Sequence, residues 1–259
     1  MNDAKSVDIP DEVGTALSRG RSGDAVGAIA TMVELAARLN ESEAAKLVSA
    51  LSDTAAEFAR FHAASLFECE AEEVRAVLAN VPRPGLRYCD VAGRWGTAWR
   101  DRTDDIFTHV ELSNCRRFVL VGAGELPITG LHVHDRTSVA HIDCLDTRPE
   151  AVRSVGALAA LLGTDRLSAT LCNGTHYDYA NADVIFIANM VRPKKVVFSR
   201  VLDTAPNHAR IIMRNPYSLG VLWAEDGCAP LDPRVRIVAR GPGGSSLSRD
   251  VFLARHAST

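Results

Sequence analysis

The chain has 259 residues, 47% hydrophobic and 24% charged, with a formal net charge of −3 at pH 7. That length and composition suit one large globular domain, or a domain with a helical appendage, either able to bury a sizeable core. Lysine and arginine are spread along the chain, so neither nucleic acid nor an anionic membrane is expected as the main partner. Small molecules are expected instead.

Six cysteines (Cys69, Cys89, Cys115, Cys144, Cys172, Cys228) are scattered without CxxC or Cys–His spacing. They read as reduced thiols of a cytoplasmic protein, and no metal is expected. Residues 1–12 carry no apolar signal core, and no apolar run is long enough to span a bilayer. Nothing in the sequence indicates an oligomeric state.

In chain order, residues 1–10 are expected to be loose. Residues 24–40 predict a helix with Val26, Ile29, Met32, Val33, Leu35 and Leu39 on its apolar stripe. Asn40 with Glu43 has the pattern of a capping box and starts the next helix, with Leu47, Val48, Leu51, Ala55 and Phe58 inward. The helical pattern continues through Phe61 to Ala79, with room for one break. Val81-Pro82-Arg83-Pro84-Gly85 then ends it. Residues 1–85 are therefore expected as an N-terminal helical bundle. Residues 86–116 are irregular and aromatic, with Tyr88, Trp95, Trp99 and Phe107 among Arg94, Arg100 and Arg102. They fit either a packing wedge or a lid whose rings face a cation, an attraction of roughly 0.5–2 kcal/mol.

From residue 117 onward the pattern alternates between strand and helix, as in a doubly wound parallel sheet. Residues 118–121 predict a buried strand, followed by Gly122-Ala123-Gly124 and by Pro127 in the first turn of a helix. The dinucleotide fingerprint wants glycine where Pro127 stands, so a nucleoside without phosphates fits this turn better than a pyrophosphate. Residues 138–143 predict the second strand, ending in Asp143, 21 residues after Gly122. An acid so placed suits a ribose diol. Thr147 would cap a helix that Gly163 stops. Residues 167–172, 184–188 and 209–214 predict three further strands. Residues 235–239 and 250–254 predict an antiparallel hairpin across Gly241-Pro242-Gly243-Gly244. The sheet domain is expected to span 117–259.

The stretches VLVGAGELPITG (119–130), the IDxxD-type segment at 142–146 and VIFIANMV (184–191) resemble the nicotianamine synthase group. The matching loop in that group is VGSGxxPxT, and Pro127 and Thr129 fall on its Pro and Thr. The resemblance implies a Rossmann-like class I S-adenosylmethionine (SAM) methyltransferase fold, with SAM as substrate. The part of SAM that reacts would be its 3-amino-3-carboxypropyl arm, with release of methylthioadenosine (MTA). Relatives of that group include aminobutanoyltransferases of opine metallophores and azetidine-2-carboxylate synthases of secondary metabolism. It further implies an active-site tyrosine in the linker, for which Tyr88 is the best match. It also implies a glutamate in the preceding helix, for which Glu68, Glu70, Glu72 and Glu73 compete and Glu70 is taken as the candidate.

Ligands of open parallel sheets bind beyond the carboxyl ends of the strands. The remaining candidates follow from that rule. Gly122, Ala123 and Gly124 would pass beneath the methionine part of SAM, and Asp143, with Asp146 as runner-up, would hold the ribose. Asn173 and Gly174 would read the adenine edge or simply form a turn. Asn189 would hold the substrate ammonium or carboxylate. Arg214 would bind a carboxylate or form a salt bridge. Tyr177, with Asp178 and Tyr179, could close over one small substrate or pack on the sheet. That closure favours intramolecular cyclisation to azetidine-2-carboxylate. The alternatives are transfer of the same arm to histidine or another amine, a small-molecule methyltransferase, or a SAM-binding module without turnover.

Overall fold

The computed structural model describes residues 9–83, 85–223, 232–241 and 247–256, with backbone only at 97–99, 101, 102 and 105. Cys228, most of the hairpin loop and the side chains of Trp99 and Arg102 lie outside the described residues. The chain divides into two compact units, and one division falls inside a helix, between Glu68 and Cys69.

The first unit is helical. Helix α1 (Ile9–Arg21) is followed by α2 (Ala25–Ala36), α3 (Glu41–Ala50), a 3-10 turn at Ser52–Thr54 and α4 (Ala55–Leu78). Helix α1 starts inside the stretch expected to be loose. Asp24 is the N-cap of α2 rather than part of it, its side chain accepting from the Gly27 N–H at 2.8 Å. At α3 the capping box forms as expected: Asn40 accepts from the Glu43 N–H at 3.0 Å, and Glu43 accepts from the Asn40 N–H at 2.9 Å. The 3-10 turn falls inside the helix expected to carry Leu47 to Phe58 on one face, and α4 runs unbroken from Ala55 to Leu78. Met32, Leu35, Phe58 and Trp223 are the large side chains sealed in this unit's core.

The second unit carries the last turns of α4, then α5 (Tyr88–Val91) and α6 (Arg94–His109). The stretch expected to be irregular is thus mostly helical. Gly96, Thr103, Ile106 and Val110 form its buried stripe, at helical spacing but half of it not apolar. Helix α5 begins where the Tyr88 and Cys89 N–H groups donate to Asp135, at 3.0 and 2.7 Å.

The sheet follows: β1 (Arg117–Val121), α7 (Ile128–Arg136), β2 (His141–Asp146), α8 (Pro149–Leu162), β3 (Leu167–Leu171) and β4 (Val184–Ile187). After them come α9 (Lys194–Thr204), β5 (Arg210–Pro216), β6 (Val235–Arg240) and β7 (Ser248–Arg255). The strand order is β3-β2-β1-β4-β5-β7-β6. The first five are parallel, and β6 pairs antiparallel with β7 as the hairpin expected. Phe118 and Leu120 of β1 enter one core while Val119 and Val121 enter the other. A strand buried on both faces reads as an unbroken apolar run, which is why β1 and β4 were legible. Among the described residues no helix is long and apolar enough to cross a membrane.

Three boundaries differ from expectation. Strand β2 is displaced toward the C-terminus, because its register against β1 pairs Arg117 with His141 and Val121 with Leu145. Asp143 is therefore in mid-strand opposite Val119, and Asp146 stands at the strand's end. Helix α8 is capped at Arg148 rather than Thr147, with Pro149 first and Gly163 closing it at φ 62°. Pro127 occupies the N-cap position of α7, one residue before the first turn.

Strand β5 also continues past Arg214, whose guanidinium forms a two-bond pair with Asp250 of β7, both contacts at 2.8 Å. Asp250 is 4% exposed. Removing one partner of a buried ion pair strands the other charge. Asp250→Ala is expected to lower unfolding free energy by roughly 3 kcal/mol, read as an earlier denaturation midpoint in urea with an unchanged slope.

Candidate functional site

The turn leaving β1 is fixed by its own N–H groups. Gly122 and Gly124 have φ of 76° and 69°, which side chains rarely tolerate. The Gly122 and Ala123 N–H groups both donate to the Leu145 carbonyl of β2, at 2.9 and 3.0 Å. The Gly124 N–H donates to Asp146 Oδ2 at 2.9 Å, and the Glu125 N–H to Glu70 Oε2 at 3.0 Å. A Cβ on Gly124 would lie 2.6 Å from Glu70 Oε1, so glycine is needed there for room as well as for φ. At Gly122 a Cβ would meet Val191, in the segment after β4.

Glu70 is 7% exposed. Burial, the largest cause, pushes its carboxyl up to about 7, with Glu125 and Asp146 adding to the rise and the Glu125 N–H and Arg148 opposing it. Arg148 lies within ion-pair reach of three carboxylates: Glu125 at 3.5 Å, Asp146 at 3.8 Å and Glu70 at 3.9 Å. Asp146 also accepts from the Arg148 N–H at 2.9 Å. This cluster gathers, at the carboxyl ends of β1 and β2, a glycine turn, an acid at the strand end and a carboxyl group that titrates near neutrality. Glu125 and Arg148 were missed in the sequence because only the fold brings them to Glu70.

The other glutamates separate from Glu70. Glu73 is buried and accepts from the Tyr88 hydroxyl at 3.3 Å and the Gly93 N–H at 2.5 Å. Glu72 accepts from the Trp95 indole at 3.0 Å, near Arg94, and Glu68 is exposed in the first unit. Tyr88 is wholly buried and edge-on to His132, at 5.5 Å between ring centres. Burial, with Glu73 beside it, raises its hydroxyl far above the ordinary range. The structure brings Tyr88 to Glu73 and the loop to Glu70.

Several candidates stand elsewhere. Asp143 accepts from Ser168 Oγ at 2.9 Å and from the Tyr177 hydroxyl at 3.4 Å, with Arg117 at 3.5 Å. Tyr177 is thus held against the middle of β2 and does not close over the turn. Burial, then Asp143, raises its pKa. Tyr179 is fully buried and donates to the Gly174 carbonyl at 2.9 Å. Asn173 accepts from the Thr175 N–H at 3.0 Å, the turn geometry open to it from the start. Gly174 is confined by Val121, 2.7 Å from where a Cβ would be. Arg214 is engaged by Asp250 and is not offered to a ligand carboxylate. Thr129 is buried in the first turn of α7. Asn189 follows β4, as expected.

This strand order and hairpin are the fold of class I SAM-dependent enzymes. No protein-family model and no curated protein matches the sequence. Among solved structures, a point mutant of the nicotianamine synthase MtNAS in complex with S-adenosylmethionine is 17% identical, with a TM-score of 0.75, over 96% of this chain and 99% of that one. MtNAS with MTA and tNA is 16% identical, with a TM-score of 0.76, over 98% and 100%. The mitomycin 7-O-methyltransferase MmcR is 13% identical, with a TM-score of 0.51, over 85% and 74%. The chain therefore has a nicotianamine synthase-like fold along nearly its whole length.

A carboxyl whose folded pKa of about 7 exceeds its ordinary 4.5 favours the fold while protonated. That contribution is full below about pH 4.5 and is lost as pH rises through about 7. Glu70→Gln cannot ionise. It is expected to be more stable than the parent at pH 8, by at most roughly 3 kcal/mol, and nearly equal at pH 4.5, in denaturation series at the two pH values.

Proposed function

We propose that the protein is an enzyme that uses the 3-amino-3-carboxypropyl arm of SAM and releases MTA. The observation that carries this reading is Glu70, a buried carboxylate at the glycine turn whose proton leaves near neutral pH. It is supported by the likeness of the whole chain to MtNAS, which has been crystallised with SAM and with MTA.

In this chemistry an amine nitrogen attacks the γ-carbon of the arm. The N–Cγ bond forms as the Cγ–S bond breaks, and the sulfur keeps the electron pair, leaving as neutral MTA. An ammonium has no lone pair, so a base must take its proton first. Glu70 is suited to this, its carboxyl pushed up to about 7 by burial and close to the loop. Asp146 is the better candidate for the ribose diol, because the strand end falls there and its oxygens retain acceptor sites beyond the Gly124 and Arg148 N–H groups. Gly122 to Gly124 would carry the arm, and alignment of the reacting atoms can supply roughly 7–11 kcal/mol of the barrier.

The finer reading is attack by SAM's own amine, closing azetidine-2-carboxylate, which needs one bound molecule and one base. Tyr177 lends this reading no support, since its hydroxyl is held by Asp143. The rival is transfer to an external amine such as histidine, supported by the crystallisation of MtNAS with a second small molecule, tNA, alongside MTA.

Mass spectrometry after incubation with SAM alone separates these readings. MTA with azetidine-2-carboxylate supports cyclisation, and MTA only after an amine is added supports transfer. S-adenosylhomocysteine would replace both with methyl transfer. Glu70→Gln is expected to lower kcat by about a hundredfold or more, within the range of general-base catalysis. The parent's kcat should rise with pH through about 7, where the Glu70 carboxylate forms, and a flat profile would remove Glu70 as the base.

A further inference from the structure

The segment leaving β4 holds a polar atom that the fold leaves unanswered. Asn189 Oδ1 is buried and accepts no hydrogen bond. A buried acceptor without a donor costs about 1–3 kcal/mol, so its persistence in a folded chain calls for a partner supplied from outside. The residue is not loosely placed. Its main-chain carbonyl accepts from Lys194 Nζ at 2.9 Å, and the same ammonium donates to the Arg214 carbonyl at 2.7 Å. Lys194 is 3% exposed and so ties the exit of β4 to β5 from within. Two residues beyond Asn189, Val191 Cγ2 lies 2.5 Å from where a Cβ on Gly122 would be. The Asn189 segment is thereby brought against the glycine turn of the proposed site.

We infer that Asn189 Oδ1 accepts a hydrogen bond from the nitrogen of the SAM arm. This rests on the proposed binding of SAM. The sequence alone left open whether Asn189 meets an ammonium or a carboxylate. The orphan atom is an acceptor, so it selects the group that carries N–H. Glu70 approaches the turn from α4 and Asn189 from β4, so in the cyclisation reading one would remove a proton from the amine that the other holds in line.

The test is calorimetric titration of the parent, Asn189→Ala and Asn189→Asp with SAM and, separately, with MTA, which lacks the amino-acid arm. Loss of one hydrogen bond to a charged group predicts a Kd for SAM raised roughly tenfold or more in Asn189→Ala. Asn189→Asp keeps acceptor oxygens and adds a negative charge, so its SAM affinity should equal or exceed the parent's. MTA should bind all three proteins alike. Weaker binding by Asn189→Asp than by Asn189→Ala would mean that the site meets the carboxylate, and would overturn the assignment. An equal loss of MTA affinity would move the contact to the nucleoside and overturn it too. Unchanged SAM affinity in Asn189→Ala would leave Asn189 without a ligand role. If the parent binds MTA but not SAM, or binds neither, the proposed function itself fails, an outcome distinct from the other three. Matching melting temperatures for the three proteins would exclude unfolding as the cause of any change.

Discussion

The site depends on where the backbone N–H groups of one turn are directed. Four successive N–H groups, from Gly122 to Glu125, leave β1, and each has a protein acceptor: Leu145 twice, then Asp146, then Glu70. In a loop that cradles phosphates those donors face the ligand. Here they are already engaged, two of them by carboxylates, which would repel a phosphate. Pro127 at the N-cap of α7 removes one more donor. A phosphate-free ligand therefore suits the turn on two independent grounds, its sequence and its hydrogen bonds.

Holding that turn with Glu70 has a cost that becomes a property. The side chain is carried into a dry position by α4, where it receives one N–H and lies beside two other acids. Burial and like charge both disfavour ionisation, so the proton is kept up to about neutral pH. Glu73, one turn on, receives two donors, the Gly93 N–H and the Tyr88 hydroxyl. Two carboxylates three residues apart on one helix thus have different surroundings. Glu70 faces the turn, while Glu73 fastens α5 and α6 to α4.

Much of this fold was legible in the sequence. The apolar runs of β1 and β4, the Asn40–Glu43 capping box and the stop at Gly163 are written in local residue types with local causes. Strand β2 was misjudged because Ser138, Val139 and Ala140 have strand-like character, and only pairing with β1 decides which residues join the ladder. That shift moved the strand-end acid from Asp143 to Asp146. Arg214 and Tyr177 were drawn toward the site because their types suit ligands. Asp250 and Asp143, the partners that hold them, lie 36 and 34 positions away and could not be paired with them from the sequence alone. Helix α6 was hidden by Gly96 and Thr103, buried residues that do not register as apolar.

The charge balance around the turn also bears on which ligand would suit it. Glu70, Glu125 and Asp146 share the Arg148 guanidinium, whose ion-pair contacts with them, at 3.5 to 3.9 Å, are of modest strength. Three acids with one guanidinium leave a deficit of positive charge at the place where the arm of a ligand would lie. A sulfonium, with or without an ammonium, makes up that deficit, whereas a nucleotide would deepen it. As a sulfonium reacts at its γ-carbon it becomes a neutral thioether and leaves the positive charge with the amine. In the proposed reaction the acid cluster would then hold the product nitrogen better than the departing nucleoside. Such an environment would favour, in the proposed reaction, loss of MTA over its return, through the same carboxylates that fasten the turn.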